Sequence, residues 1–308
     1  MVNWWFLLFL VWQQNDPVAN QRFYIEPNSN AAKQAEQWRS ARPADAALMD
    51  IIAATPQCAW FGNWNVNIAN DIDRYVTAAE SQNSLPCLVL YNIPFKDCGS
   101  YSADGPQQDT NYRTWITSAA LGIGSRKALV IYEPDAVAGW DCLSAANGQL
   151  QARKDLLRYG IGALKVITHA VVYADGGHSQ WHSPEEMAAR LTEIGIQQAD
   201  GFAVNVSNFR TLAELLPYAE KAAVLLGGKH YVMDTSRNGT DPVPDGRIYN
   251  PPWAALGTNP SANIGIFFPR WDACLWVKRI GELDAPLAGC GNTGDWCAEY
   301  ALQLAKNR

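Results

Sequence analysis

The run from Lys127 to Trp140, KALVIYEPDAVAGW, joins two unlike halves. Ala128 to Ile131 is apolar and β-branched, the composition of a strand buried on both faces. It then presents two carboxylates, Glu133 and Asp135, on either side of Pro134. Carboxylates at the end of a core strand must be hydrogen-bonded, paired or used in chemistry. Glu133, still within the strand, is expected to serve structure or to orient its neighbours, and Asp135, out on the rim, to carry chemistry.

The same motif of apolar run and polar end repeats along the chain. Short apolar runs fall at 58–62, 87–94, 128–134, 170–176, 201–207, 230–235 and 272–278. Stretches of helical period lie between most of them, at 70–81, 110–121, 150–166, 184–194, 211–226 and 296–306. SPEE at Ser183 to Glu186 is a helix start, with Ser as N-cap, Pro at the first position and acids in the first turn. Runs alternating with helices predict βαβ units and a parallel sheet. About seven such strands predict an α/β fold, a distorted (β/α) barrel of TIM-like type, closed or nearly closed. Residues 21–308 read as a single domain. Residues 1–20 read as an apolar leader, since the stretch from Trp4 to Trp12 is too short to span a bilayer. It has the length of a secretory h-region but no basic n-region or clear cleavage site, so a partial signal peptide and a helical or disordered leader both stay open.

Composition narrows the partners. The 308 residues are 48% hydrophobic and 18% charged, with net charge −6 and no basic run, which argues against nucleic acid and anionic membrane. The 13 Trp, 12 Tyr and 9 Phe suit neutral, flat-faced ligands such as sugars, as well as core packing. Seven cysteines without a C-x-x-C, and only four His, give no zinc pattern, so neither metal nor cofactor is expected. An odd number leaves at least one thiol unpaired if disulfides form.

In a parallel barrel all C-terminal strand ends open on one face, where active sites are built. Here those ends carry Asp97, Asp135, the set Asp175, His178 and Trp181, then Asn205 and Asn208, Asp234 and Arg237, and finally Lys278, Glu282 and Asp284. Any one of these acids could cap a helix or close a turn. Six strands delivering polar groups to one rim are harder to assign to caps. Carboxylates, amides and indoles fit glycoside hydrolysis, in which one carboxylic acid protonates the leaving oxygen and a second group acts across the sugar ring. His178 and His182 are four apart but on a strand-end loop, so a metal pair is not expected.

The segments YNIPFKDCGSYSADG, VIYEPDAV, YADGGHSQWHSP, GFAVNVSNF, DTSRNG, NPPWAALG and WVKRIGELD, in this order and spacing, resemble glycoside hydrolase family 6, the cellulases that cut β-1,4-glucan with inversion. The likeness runs from about Phe23 to the C-terminus and implies a distorted barrel of about seven strands. It implies Asp135 as general acid, Asp97 as the acid that keeps Asp135 protonated, and Asp284 as base. Tyr91 would contact the distorted sugar, and Ser102 would help to place the water. Asp175, Lys278 and Glu282 match sugar-binding positions, with Trp60 and Trp181 as stacking platforms. His178, Asn205 and Asn208 are added as candidate sugar contacts from their strand-end placement. Cys98 and Cys142 match a family disulfide. A secreted monomer acting on cello-oligosaccharides and β-glucan is expected. The connections after Asp97 and Lys278 are short, leaving little chain to roof a tunnel, which favours endo action.

The chain also departs from the family. A second family disulfide joins a W-C-N-P-P run to the segment after G-E-x-D-G; those places here read IYNPP and ELDAPL, so that bridge is absent. Ile248 replaces a stacking Trp, and Ala285 stands where Gly is usual. Cys290 and Cys297 are unmatched and could pair with each other or with Cys274. Because the changes surround Asp284, a sugar-binding barrel with impaired turnover is the alternative reading. A metal-dependent hydrolase is a third.

Overall fold

The computed structural model describes residues 16–96, 109–264 and 268–308. Seven strands form one curled, all-parallel sheet in chain order: β1 (Ala59–Gly62), β2 (Cys87–Tyr91), β3 (Leu129–Tyr132), β4 (Val171–Asp175), β5 (Gly201–Val204), β6 (His230–Asp234) and β7 (Trp271–Leu275). Helices α3 (Ile68–Ser81), α4 (Asp109–Ile123), α5 (Gln149–Ile167), α6 (Pro184–Glu193) and α7 (Leu212–Leu225) each follow one of the first five strands. The chain from Thr235 to Arg270 reaches β7 without a helix among its described residues, and α8 (Ala298–Lys306) comes last. The distorted α/β barrel expected from the alternation is the fold observed.

Local chemistry explains the helix starts. Ser183 accepts from the Glu186 N–H at 3.1 Å, with Pro184 opening α6 and Glu185 and Glu186 in its first turn. Asn67 and Thr211 cap α3 and α7 in the same way. Two helices were not expected: α1 (Asn30–Trp38) and α2 (Pro43–Ala53), both before β1. The buried face of α1 is only Ala31 and Ala35, too small to give a periodic apolar signal. Pro43 at the start of α2 is an overlooked start signal.

Each strand buries both faces. One face (Leu88, Leu90, Val130, Val172, Phe202, Tyr231, Met233) meets the helices. The other (Val89, Leu129, Ile131, Tyr173, Ala203, Val232, Ala273, Leu275) fills the barrel interior, together with Val18 and Phe23 from the N-terminal segment. A third cluster joins α1, α2 and α8 to Trp276, Ile280 and Leu283 and seats the segment after β7.

The barrel does not close by a ladder. At the β1–β7 seam the Cys58 N–H donates to the Trp276 carbonyl at 2.9 Å, and the Trp60 indole N–H to the Val277 carbonyl at 2.7 Å. The sheet order places β1 and β7 at its two edges, where these two bonds join them.

Cys58 is disulfide-bonded to Cys87, tying the start of β1 to the start of β2, and Cys290 to Cys297. Cys274 is a free, buried thiol. Of the expected Cys98–Cys142 pair, Cys98 lies outside the described residues, while Cys142 is disulfide-bonded. The Cys58–Cys87 bridge spans 29 residues, and a loop of that length contributes about 3.6 kcal/mol through the unfolded chain. The Cys58→Ser/Cys87→Ser double variant should therefore lose about 3.6 kcal/mol in urea unfolding. An unchanged midpoint would show that the bridge merely decorates a sheet edge already fixed by its ladder.

Candidate active site

Strand periodicity decides what reaches the site. Side chains alternate faces along a strand, so the interior column Leu129, Ile131 continues to Glu133, Tyr173 to Asp175, Ala203 to Asn205, and Val232 to Asp234. Four polar groups thus form the top layer of the interior, and all four are fully or almost fully buried. At their ends the strands turn sharply: Glu133, Asp135, Asn205 and Ser207 have φ of 50°, 66°, 67° and 58°. Left-handed backbone costs non-glycine residues about 1–2 kcal/mol each, and such strain gathers where surrounding bonds over-determine it.

Those bonds are visible. The Glu133 carboxylate accepts from the N–H of Asn92 (2.9 Å) and of Ile93 (3.0 Å), and from the Tyr112 hydroxyl (3.0 Å). It thereby fixes the end of β2, the start of the segment toward Asp97. Tyr112 is also bonded to the Tyr132 hydroxyl (2.7 Å), which sits against Gly160 of α5, where a Cβ would come within 2.0 Å of that oxygen. Arg153 donates to the carbonyls of Pro94 (2.7 Å) and Ala136 (2.9 Å), joining the β2 and β3 loops.

Asp135 is held through its backbone: its N–H donates to Asp175 Oδ2 at 2.9 Å. Asp175 is itself 1% exposed, and its Oδ1 is buried with no hydrogen-bond partner among the described residues. Burial, reinforced by the charge of Asp234, pushes the Asp175 carboxyl up to about 7, against the N–H groups of Asp135 and Gly177 that pull it down. Trp181, 38% exposed, lies against Gly139 and Gly177 and so beside the Asp135 loop. His178 is tilted on Trp181 at 5.6 Å, and burial, then the Arg210 charge, pushes its imidazole down to about 4.

Asp234 holds the other half. Its carboxylate accepts from the N–H groups of Ser207 (2.9 Å), Ser236 (2.9 Å), Val277 (3.1 Å) and Lys278 (3.1 Å), joining the ends of β5, β6 and β7. Burial raises its pKa, opposed by these donors and by Arg237. Arg237, fully buried, donates to Asp284 Oδ2 at 2.6 Å and to the Ser207 carbonyl, with its guanidinium 4.3 Å from the Phe209 ring. Lys278 Nζ lies 3.2 Å from Asp284 Oδ1. Burial alone would raise the Asp284 pKa, but the two cations outweigh it and hold the carboxyl below its ordinary value.

From Asp284 a connected line runs to the seam. Lys278 lies 5.9 Å from the Trp60 ring, and Trp60 meets Tyr91 edge-on at 5.6 Å. Lys96, 2% exposed, sits 4.7 Å from the Tyr91 ring and 3.1 Å from Asn63. Where the absent second family disulfide would lie, an amide joins the same two segments. Asn250 accepts from the Asp284 N–H (2.7 Å) and donates to the Ala285 carbonyl (2.7 Å), while its own N–H donates to Asp284 Oδ2 (3.2 Å).

The expected residues therefore fall into groups. Asp135, Asp175, His178 and Trp181 gather on one side, and Trp60, Tyr91, Lys278 and Asp284 on the other. Asn205 commits its amide to backbone, donating to the Asp234 carbonyl and accepting from the Arg210 N–H, and Asn208 accepts from the N–H of Phe209. Glu282 pairs with Arg279 at 3.0 Å. Asp97 and Ser102 lie outside the described residues. Asp234 and Arg237 were placed on the rim through the strand-end run DTSRNG but given no role, and Asn250 was not named. Among the described residues no three His, Cys, Asp or Glu side chains could hold a metal ion, and no helix is long and apolar enough to cross a membrane.

Two outcomes follow from these contacts. Burial pushes Glu133 up from its ordinary 4.5 to about 7, against its three donors. A carboxyl that binds its proton more tightly in the folded state stabilises the fold in acid. That contribution is full below about 4.5 and is lost as pH rises through about 7. Glu133→Gln keeps the acceptor and removes the titration, so its urea midpoint should fall less steeply over this window than that of the parent. Parallel curves would assign the slope elsewhere. Asn250→Ala should cost about 2–4 kcal/mol, from two side-chain hydrogen bonds and a left-handed Ala. A loss below about 1 kcal/mol would mean that the Asp284 segment is seated by packing alone.

Comparison with known proteins places the chain in a family. The family model for "Glycosyl hydrolases family 6" matches residues 18–308. Endoglucanase A of Cellulomonas fimi is 37% identical over 294 residues, covering 94% of this chain and 62% of the relative. Endoglucanase 1 of Streptomyces halstedii is 36% identical, covering 92% and 88%. This chain thus spans about 62% of the Cellulomonas fimi relative and most of the Streptomyces halstedii one. The structure of the endoglucanase Cel6 from Mycobacterium tuberculosis, in complex with a methyl-cellobiosyl-thio-β-D-cellobioside, superimposes with TM-score 0.87 at 42% identity over 95% of this chain and 99% of that one.

Proposed function

The chain belongs to glycosyl hydrolases family 6, and from that premise we propose that it is a secreted, monomeric, inverting endo-β-1,4-glucanase with Asp135 as its general acid. The observation that carries the reading is the rim itself. Asp135 stands on strained backbone pinned by Asp175, with an indole platform beside it and an ionised carboxylate, Asp284, clamped by two cations on the other side.

In the proposed reaction a glucan chain lies across the rim, stacked on Trp60 and Trp181. Asp135 gives its proton to the glycosidic oxygen as the C1–O bond breaks and the electron pair leaves with that oxygen. A water attacks C1 from the opposite face, so a β-bond yields an α-hemiacetal. Asp284, kept anionic by Arg237 and Lys278, stabilises the positive charge that develops on the sugar ring and takes the proton lost by the water, directly or through a second water. On the family resemblance alone, Asp97 keeps Asp135 protonated and Ser102 helps to place the water. Asp175 orients Asp135, and Lys278 and Tyr91 contact the sugar.

Proton NMR during cellohexaose hydrolysis tests this directly. The α-anomer should appear first, and a β-anomer first would overturn the assignment. Asp135→Ala should lower the rate on carboxymethylcellulose by about 10²–10⁴-fold, with viscosity falling early relative to reducing ends in the parent. Equal turnover in parent and variant, with cello-oligosaccharide binding retained, would favour the sugar-binding barrel.

A further inference from the structure

Glu282, paired with Arg279, lines a space that the proposed reaction does not use. Between the start of α1, the approach to β1 and the segment after β7 lies a cavity of about 280 Å³. That is the volume of about nine liquid waters, enough for one pyranose ring and too small for two. Its walls include Tyr75 and Trp296, its polar edge the Arg279–Glu282 pair, and its mouth Asn28 and Lys33.

The walls are rigid. Tyr75 is wedged edge-on against Tyr24 at 5.2 Å and Phe61 at 5.9 Å. The Trp296 indole N–H donates to the Ile280 carbonyl at 2.9 Å. The polar groups are only partly used: no described residue hydrogen-bonds the Tyr75 hydroxyl, and Arg279 spends one nitrogen on Glu282. Two aromatic side chains beside charges that balance, Glu26 and Glu282 against Lys33 and Arg279, suit an uncharged polyol better than an ion or a lipid chain. The cavity also adjoins the glucan path. Arg279 follows Lys278, and Gln57, ahead of β1, accepts from the Ile280 N–H at 2.8 Å, docking this segment beside the strand that carries Trp60.

We propose that this cavity is a distal glucan-binding subsite, which takes one pyranose of the chain beyond those held at Trp60 and Lys278. It rests on the glucanase reading and extends it: longer chains gain affinity that shorter ones do not. Its test compares cellotetraose with cellohexaose in two variants. Tyr75→Phe removes only the unused hydroxyl, and Asn28→Ala/Lys33→Ala alters exposed positions, so both should keep the fold. Losing one to two hydrogen bonds predicts a fall in kcat/KM on cellohexaose of about three-fold for the first variant and about ten-fold for the second. On cellotetraose both should stay within about two-fold of the parent. Equal losses on both substrates, or none on cellohexaose, would overturn the subsite. If the parent cleaves neither substrate, the glucanase reading fails and calorimetry with cellohexaose judges the cavity. Weaker binding in the variants than in the parent supports it; equal binding, or no binding by the parent, rejects it.

Discussion

The rim depends on a buried carboxylate, Asp234, that accepts four backbone N–H groups from three strand ends. Burying an ion costs several kcal/mol unless its lone pairs are met. Hydrogen bonds to a charged group return about 1.5–3 kcal/mol each, so four of them offset the burial only if all are made together. The penalty for any one failing is what makes the arrangement specific. Ser207, Arg237, Lys278 and Asp284 keep their relative places because the strand ends beneath them cannot separate without stranding that charge. Glu133 does the same for β2 and β3 with two N–H groups and a hydroxyl. A parallel sheet has no hairpins to fix its upper edge, and here two acids supply that constraint from inside.

The division of labour between Glu133 and Asp135 follows from strand geometry. Glu133 continues the inward column of β3 and is fully buried. The chain then turns through left-handed conformations at both residues, carrying Asp135 out of the column and onto the rim. Nearly the same turn recurs at Asn205 and Ser207, at the end of β5. The strain is concentrated at the exits of two strands whose bodies are wholly regular, where Glu133, Asp175 and Asp234 can hold it.

Much of this was legible in the sequence, because apolar runs and helix starts are local signals. Six of the seven strand runs contained their strands, the seventh missed only Trp271 at the start of β7, and the helix opened by SPEE was found to the residue at its start. The runs at 128–134 and 201–207 were read too long, since composition does not show where φ turns positive. The small-residue face of α1 gave too little contrast to be seen. In the candidate site, the strand ends and the family resemblance pointed to Asp135, Asp175, Lys278 and Asp284, which the structure places on the rim. Their couplings were not. That Arg237 neutralises Asp284, that Asn205 serves backbone rather than solvent, and that Cys290 joins Cys297 depend on separations that only the folded chain defines.

The amide clasp at Asn250 has a consequence for how the enzyme matures. On the Asp135 side, Cys142 is disulfide-bonded, a tie that forms only by thiol oxidation, which takes seconds to hours. On the Asp284 side, the two segments are joined by hydrogen bonds that form as soon as the chain folds. The Asn250 clasp thus forms independently of the redox state of the surroundings, whereas the tie at Cys142 depends on it.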